Sequence, residues 1–312
     1  MNARIPPVTT VSARRLRHVV VSAIGMLMLG GAAASGESIR ILDQLVMGES
    51  LLEGEKIGEF SALVRSPDGV VLGISDRGYI AELAIEITDE RLVRLQPVAL
   101  RVLAGPDDAP MRDTDFNPEA ATILDDGTIA IASEVGPKLA VFDRDGRWLR
   151  AEDLPEPLRD AAKQASEKDG IEALAWTRDV EFVAMTEEPQ LGAPRNLHTV
   201  HTTLAGSGQI AAEGPESISI KAMEVVGRQL FVLERTRDDV TDALYPFLRI
   251  VALHECLATA TCVGRQLPIP VKDITDADFE GLVALDDGLF LMVSDDEIDG
   301  DLRSVFVLFR LE

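Results

Sequence analysis

Short runs of aliphatic and β-branched residues, separated by turn-forming residues, dominate the chain after residue 36. Asp-Gly pairs punctuate these runs at Asp68-Gly69, Asp126-Gly127 and Asp287-Gly288. Such a pair between alternating apolar runs is a strong signal for a two-residue hairpin turn, in which both residues have positive φ. The pattern predicts an all-β protein. One stretch, 156–168, is rich in Ala, Leu, Lys and Glu and predicts a short helix between strands.

The predicted hairpins form an internal repeat. Each repeat begins with a polar, a small and an apolar residue and ends with an aliphatic strand followed by an acidic residue. The five segments are 61–76, 119–134, 172–187, 221–234 and 280–295. Hairpins too small to bury a face alone, repeated at near-constant spacing, indicate a β-propeller. We predict five blades, with six as the alternative if one blade is compressed, and a last blade shared by the first and last strands.

The first 36 residues have the layout of a secretory signal. Arg4, Arg14, Arg15 and Arg17 precede an apolar run that ends in small residues. The run is shorter than the roughly 20 residues that cross a bilayer. We therefore predict a signal peptide over 1–36, a propeller domain over 37–312 and a periplasmic or secreted location. An uncleaved anchor is the alternative, and the Arg14-Arg15 pair leaves the twin-arginine route open.

The chain is strongly acidic, with a formal net charge of −23 at pH 7. Such a body repels nucleic acid and anionic membranes, so we expect neither as a partner, and we expect no stable membrane association after signal cleavage. It attracts cations. We expect a monomer.

Two cysteines, Cys256 and Cys262, lie close together in the sequence. In an oxidising compartment such a near pair predicts a disulfide that closes a small loop. A metal-binding pair assisted by His254 and two free thiols are the alternatives.

Acidic residues recur at the ends of the repeats. With two-residue turns, Glu119 and Glu134 would be direct cross-strand neighbours about 5 Å apart, and like charges so placed destabilise a sheet. A propeller gathers these ends around one channel mouth, where hard oxygen ligands favour Ca²⁺ or Mg²⁺. The predicted metal ligands are Asp76, Glu119, Glu134, Glu172, Glu187, Glu234, Glu280 and Asp295. Structural contacts to backbone amides or arginines are the competing explanation.

Basic residues accompany some of these acids. Arg77, Lys138 and Arg235 would suit a phosphate beside a metal, or would neutralise the acidic ring. The chain has no Gly-x-Ser-x-Gly nucleophile motif. His198 and His201 are expected on a solvated strand face, with zinc ligands as the alternative.

The repeats resemble the phytase-like family described as carrying the esterase-like activity of phytase. The resemblance rests on Phe60-Ser61-Ala62-Leu63, Asn117-Pro118-Glu119-Ala120, Asp169-Gly170-Ile171-Glu172, Leu233-Glu234-Arg235 and Asp278-Phe279-Glu280-Gly281. It implies a secreted propeller whose repeated acids act on a phosphate ester, with Glu119, Glu172 and Glu280 as the catalytic residues. The resemblance also implies calcium indirectly, because the β-propeller phytases depend on calcium. Ser61 and Lys221 depart from the acidic pattern.

The sequence therefore predicts an exported, metal-dependent phosphoesterase that acts on a small-molecule phosphate ester at an acidic channel mouth. Two alternatives stay open: a non-catalytic binding propeller and a metal-dependent lactonase-like hydrolase.

Overall fold

The structure is a computed structural model. It describes residues 37–312 except 49, 112–115, 136–137, 167–168, 213–217, 239, 260, 273, 275, 296 and 299–300. The predicted signal peptide lies outside the described residues, so the predicted cleavage and the domain boundary after residue 36 stay predictions.

The described residues form five four-stranded antiparallel sheets, which are the blades of a propeller. Blade one comprises Phe60–Arg65, Val71–Ser75, Tyr79–Thr88 and Arg91–Val102. Blade two comprises Pro118–Ile123, Ile129–Ser133, Lys138–Phe142 and Trp148–Glu152. Blade three comprises Ile171–Thr177, Glu181–Thr186, Leu197–Thr202 and Ser207–Ala211. Blade four comprises Ser219–Val226, Gln229–Arg237, Leu244–Ala252 and Arg265–Pro268.

Blade five is assembled from both ends of the domain. Its inner strands are Phe279–Asp286 and Leu289–Ser294, followed by Ser304–Leu311. The outermost strand, Ile39–Met47, comes from the start of the domain and pairs antiparallel with Ser304–Leu311. The prediction of five blades closed by a shared last blade is confirmed.

The first strand of each blade contacts the first strands of the two neighbouring blades, so the five inner strands form a closed ring. Five apolar clusters fill the interfaces between adjacent blades. The rings of Phe231 and Phe290 join blades four and five with centroids 4.9 Å apart, and those of Phe60 and Phe306 join blades one and five. Burial of apolar area between blades therefore holds the ring together.

Smaller elements connect the blades. Two short hairpins pair Ser50–Leu52 with Glu55–Ile57 and Glu297–Ile298 with Asp301–Leu302. The helix predicted over 156–168 is wrong, because the described part of that stretch forms two 3₁₀ turns, Glu156–Leu158 and Ala161–Lys163. Pro155 precedes the first turn and Pro157 lies within it, and proline limits how far a helix can propagate.

A six-residue α-helix, Leu253–Ala258, follows the third strand of blade four and carries Cys256. Cys256 and Cys262 form a disulfide, which confirms that prediction. Among the described residues, no helix is long and apolar enough to cross a membrane.

Two of the predicted Asp-Gly turns differ from expectation. The N–H of Ser66 donates to the carbonyl of Val70 at 2.8 Å, so the first hairpin has a three-residue loop that ends in Gly69. Leu124 and Thr128 bracket the loop of blade two in the same way. In both loops positive φ belongs to the glycine, at +89° for Gly69 and +82° for Gly127, as in a type I turn closed by a left-handed residue. Asp287-Gly288 does form a two-residue turn, although only Gly288 and not Asp287 has the predicted positive φ.

A β-bulge interrupts the inner strand of every blade at the same point. In blade two, Pro118 pairs with Ser133 and Ala120 pairs with Ala132, so Glu119 is an extra residue without a partner in the ladder. The bulge residues are Ser61, Glu119, Glu172, Lys221 and Glu280. The predicted cross-strand pairing of Glu119 with Glu134, and of its equivalents in the other blades, is therefore wrong. A bulge redirects its extra side chain, and here it does so five times at one mouth of the channel.

Candidate metal centre

The register defines two repeated positions at the acidic mouth. The bulge position is occupied by the five bulge residues given above. The post-strand position comes one residue after the second-strand partner of the residue that precedes each bulge, and it is occupied by Asp76, Glu134, Glu187, Arg235 and Asp295. It directly follows the second strand in four blades, whereas the second strand of blade four continues to Arg237. In blade four, Glu234 pairs with Ile220 within the ladder, so Arg235 and not Glu234 is the equivalent of the other acids. Blade four thus carries a base at both positions.

Three glutamates at bulge positions meet in the channel. Carboxylate oxygens of Glu119, Glu172 and Glu280 all lie within 4.8 Å of one another. Burial raises the pKa of Glu119 well above its ordinary value, and the charges of Glu172 and Glu280 raise it further. Burial likewise raises the pKa values of Glu172 and Glu280, although Lys221 opposes the shift. The cluster therefore favours bound protons or a bound cation.

Lys221 lies within this cluster. Its Nζ donates to Glu172 Oε1 at 2.5 Å and lies 2.7 Å from Glu280 Oε1 and 3.1 Å from Glu187 Oε1. The side chain is only 4% exposed. Burial works against its charged form, but the surrounding carboxylates outweigh burial and hold the pKa of Lys221 above its usual range. One ammonium thus links blades three, four and five.

Arg235 makes a second link between the same blades. It donates to Glu187 at 3.2 Å and also to Asp278 of blade five. Only 16% of its side chain is exposed. Arg235 is therefore engaged by the protein and reaches the mouth already paired with two acids.

Asn117 connects the two acids of blade two. Its side-chain amide donates to Glu119 and, at 2.8 Å, to Glu134 Oε1. The acids are therefore bridged by an amide that belongs to the same blade, which partly offsets their repulsion.

Blade one supplies polar atoms that lack a hydrogen-bond partner among the described residues. They are Asp76 Oδ1 and Ser61 Oγ, and Ser61 is only 1% exposed. Burial, then the charges of Glu59 and Glu280, raise the pKa of Asp76 to about 7. Arg77 points elsewhere, because it donates to Glu59 at 2.8 Å. Buried orphan oxygens beside a carboxylate cluster are the feature expected of a cation site.

The remaining predicted site residues are not brought into the cluster. Glu234 accepts two hydrogen bonds from the fully buried Arg249, at 2.5 and 3.1 Å, and one from Gln266. Asp295 is half-buried, and its backbone N–H donates to the carbonyl of Asp278. Lys138 is exposed at the start of the third strand of blade two.

The channel beneath the glutamates is narrow. A cavity of about 10 Å³ lies among Ser61, Glu119, Glu172 and Glu280. That volume corresponds to about one water molecule. Beside the glutamates the channel therefore has room for about a single ion or water molecule.

Sequence reasoning missed a third repeated position, two residues before each bulge. Glu59, Asn117 and Asp278 occupy it, and each contacts a charged or polar group of the mouth. Its backbone carbonyl also recurs as an acceptor, for Asp76 at Glu59 and for Asp295 at Asp278. Aligning the repeats two residues further upstream would have revealed it.

The prediction of solvated histidines is wrong. His198 and His201 are 2% and 4% exposed. Burial lowers the pKa of each to about 4, so both are neutral near pH 7. Both faces of the third strand of blade three are packed against other residues. The alternation of polar and apolar residues along the sequence does not distinguish such a strand from one with an exposed face.

Comparison with known proteins agrees with this architecture. Residues 55–298 match the model of the phytase-like family, described as having the esterase-like activity of phytase. The chain belongs to this family, which confirms the resemblance seen in the repeats. No curated protein matches the chain significantly.

Similar solved structures include propellers of diverse activity. A virginiamycin B lyase from Staphylococcus aureus is 11% identical, with 86% of this chain and 74% of that one covered and a TM-score of 0.36. The WD40 β-propeller domain of Doa1 is 8% identical, with coverages of 88% and 97% and a TM-score of 0.41. A DUF4221 family member from Bacteroides vulgatus is 9% identical, with coverages of 88% and 98% and a TM-score of 0.44.

Proposed function

We propose that the protein is an exported, calcium-dependent phosphoester hydrolase whose site is the acidic mouth of the propeller channel. The observation that carries the proposal is the convergence of Glu119, Glu172 and Glu280 within 4.8 Å. The three are equivalent residues of three blades, redirected by the same bulge. Membership of the phytase-like family supports the choice of phosphate esters as substrates.

The residues fit a hard divalent cation. Glu119, Glu172 and Glu280 would hold it, and Asp76 Oδ1 and Ser61 Oγ are buried oxygens without a hydrogen-bond partner among the described residues. Ca²⁺ accepts six to eight oxygen ligands in irregular geometry, which suits a site assembled from several blades, and Mg²⁺ is the alternative. When bound, such an ion lowers the pKa of a water molecule and stabilises charge on phosphoryl oxygens.

The protein's own groups have complementary roles in this proposal. Asp76, whose pKa is raised to about 7 by burial and by neighbouring acids in the metal-free protein, would lose its proton when the cation binds beside it. Arg77 is 41% exposed and can turn from Glu59 towards a phosphate at the mouth. Lys138 is exposed and adds positive charge near the rim of blade two. Because the cavity beneath the glutamates holds only about one water, the ester would react at the mouth and not inside the channel.

A non-catalytic binding propeller is the second candidate, and Lys221 favours it. An ammonium already lies among Glu172, Glu187 and Glu280, so part of the cluster serves as a structural link between blades. In that case the mouth would bind a cationic ligand without chemistry.

The experiment is hydrolysis of nitrophenyl phosphate mono- and diesters and of phytate by the purified protein, with calcium and then with chelator. A lactone is also tested as a substrate, because a lactonase-like hydrolase is the remaining alternative. Glu119→Gln removes one proposed ligand at nearly constant volume. Glu181→Gln is the matched control, because Glu181 is exposed at the opposite, hairpin end of blade three.

Turnover of a phosphate ester that chelator abolishes, that Glu119→Gln reduces at least tenfold and that Glu181→Gln leaves unchanged would support the proposal. Lactone turnover alone would favour the lactonase class. Absence of turnover, together with calcium binding, would leave the binding propeller as the better account.

A further inference from the structure

Blade four reverses the charge at both repeated positions of the mouth. Lys221 takes the bulge position, which is glutamate in three of the other blades, and Arg235 takes the post-strand position, which is acidic in all four. Lys221 and Arg235 both contact acids of the blades on either side. The two basic residues of blade four therefore form ion pairs within the site and do not simply face the solvent.

The surroundings of Lys221 Nζ resemble those of a bound cation. Three carboxylate oxygens, from Glu172, Glu280 and Glu187, lie 2.5, 2.7 and 3.1 Å from the nitrogen. They come from both neighbouring blades and two different repeated positions. Carboxylate oxygens converging in this way would repel one another strongly without a positive charge at the centre.

The other side of the cluster is arranged differently. Glu119 receives a hydrogen bond from the neutral amide of Asn117. Asp76 Oδ1 and Ser61 Oγ have no hydrogen-bond partner among the described residues, and the 10 Å³ cavity borders Ser61 and Glu119. Negative charge and unpaired oxygens remain on this side, whereas the side around Lys221 already has its cation.

We propose that Lys221 is a tethered substitute for a second metal ion, so that the mouth binds one divalent cation, on the side of Glu119 and Asp76. The identity of that first ion rests on the proposed function. The substitution itself rests only on the position of Lys221 among three carboxylates. Removing the ammonium should therefore turn its position into a second cation site.

The test counts calcium ions bound per chain by equilibrium dialysis of the folded protein at pH 7.5. Lys221→Ala removes the charge and leaves room for an ion and its waters. Lys163→Ala is the matched control, because Lys163 is an exposed lysine paired with Glu156 at 2.8 Å. We expect one ion for the unaltered protein and for Lys163→Ala, and two for Lys221→Ala.

Other outcomes separate the inference from the proposed function. No ion in the unaltered protein and one in Lys221→Ala would support the substitution and remove the metal from the proposed function. Two ions in the unaltered protein, or equal counts in the unaltered protein and Lys221→Ala, would overturn the inference. If Lys221→Ala is unfolded without calcium, it is refolded in millimolar calcium and followed by circular dichroism: refolding with one more ion bound than in the unaltered protein supports the substitution, and failure to refold, or refolding with the same number of ions, overturns it.

Discussion

The Nζ of Lys221 lies 2.5 Å from Oε1 of Glu172, and the two side chains are 4% and 6% exposed. A buried charge pair is costly to assemble, but removing one partner leaves the other charge buried and uncompensated. The contact also joins two neighbouring blades at the ring of inner strands. The stability of the metal-free protein should therefore depend on it.

Lys221→Ala should lower the free energy of unfolding of the metal-free protein by about 3 to 5 kcal/mol. The measurement is urea denaturation in the presence of chelator. Lys163→Ala, which removes an exposed lysine, should change it by less than about 0.5 kcal/mol. Equal effects of the two substitutions would show that the buried ammonium does not stabilise the ring.

Glu234 should act as a structural partner of Arg249 and not as a metal ligand. Glu234→Gln leaves the fully buried Arg249 without its carboxylate, so we expect a loss of about 3 to 5 kcal/mol with or without calcium. Replacing both residues, as Glu234→Leu with Arg249→Met, should cost less than the two single changes together. If Glu234→Gln instead abolished the response to calcium, Glu234 would belong to the metal site.

The buried histidines should make the protein sensitive to acid. The folded-state pKa of His198 is about 4, below its unfolded value of about 6.5. The stability from its neutral form is thus complete above pH 6.5 and is lost as the pH falls towards 4. The loss should reach at most about 3 kcal/mol per histidine, from the shift in pKa.

Urea denaturation between pH 7 and pH 4 tests this, with His198→Leu compared with the unaltered protein. The raised pKa values of the carboxylate cluster act in the opposite direction in this range, but they are common to both proteins. The difference between the two curves should therefore grow in favour of the variant below pH 6.5. Parallel curves would mean that His198 does not titrate in this way.

The disulfide between Cys256 and Cys262 closes a small loop beside the fourth strand of blade three. Because the loop is short, loop-closure entropy predicts that its removal costs only about 2 kcal/mol. Denaturation of the Cys256→Ser, Cys262→Ser double variant, compared with the oxidised protein, measures this value. A loss several times larger would show that Cys256 contributes mainly through its packing in the core between blades three and four.

The sequence predicts the fold well because each blade carries its own signals. Aliphatic runs, a small residue near the axis and a turn recur five times. The first and last strands pair with each other and complete the fifth blade. The sequence indicates less clearly which residues pair across each hairpin. The pairing depends on whether the hairpin loop has two or three residues, and Asp-Gly occurs in both kinds, at Asp287-Gly288 and at Asp68-Gly69.

The bulges explain why the repeats indicated Glu119, Glu172 and Glu280, which do converge, although the cross-strand pairing on which that prediction rested is wrong. In Ile171-Glu172-Ala173, a polar residue between apolar ones looks like ordinary strand alternation, although Glu172 stands outside the ladder. The symmetric pairing placed Glu234 at the mouth, because it did not allow for the bulge at Lys221. Asn117 and Asp278 were missed because they lie outside the segments that define the repeat.

Thermal denaturation with calcium and with chelator shows whether the carboxylate cluster of the mouth binds calcium. Calcium at 100 times its Kd adds roughly 2.7 kcal/mol to a protein that binds it only when folded. For a domain of this size that corresponds to a rise in Tm of about 5 °C over the chelated protein. Glu119→Gln with Glu134→Gln should remove most of this rise and leave the chelated protein as stable as before or more so, whereas Glu181→Gln should keep it. A Tm of the unaltered protein that calcium does not change, with the double variant destabilised equally in calcium and in chelator, would contradict the metal site and leave the acids as structural contacts between blades.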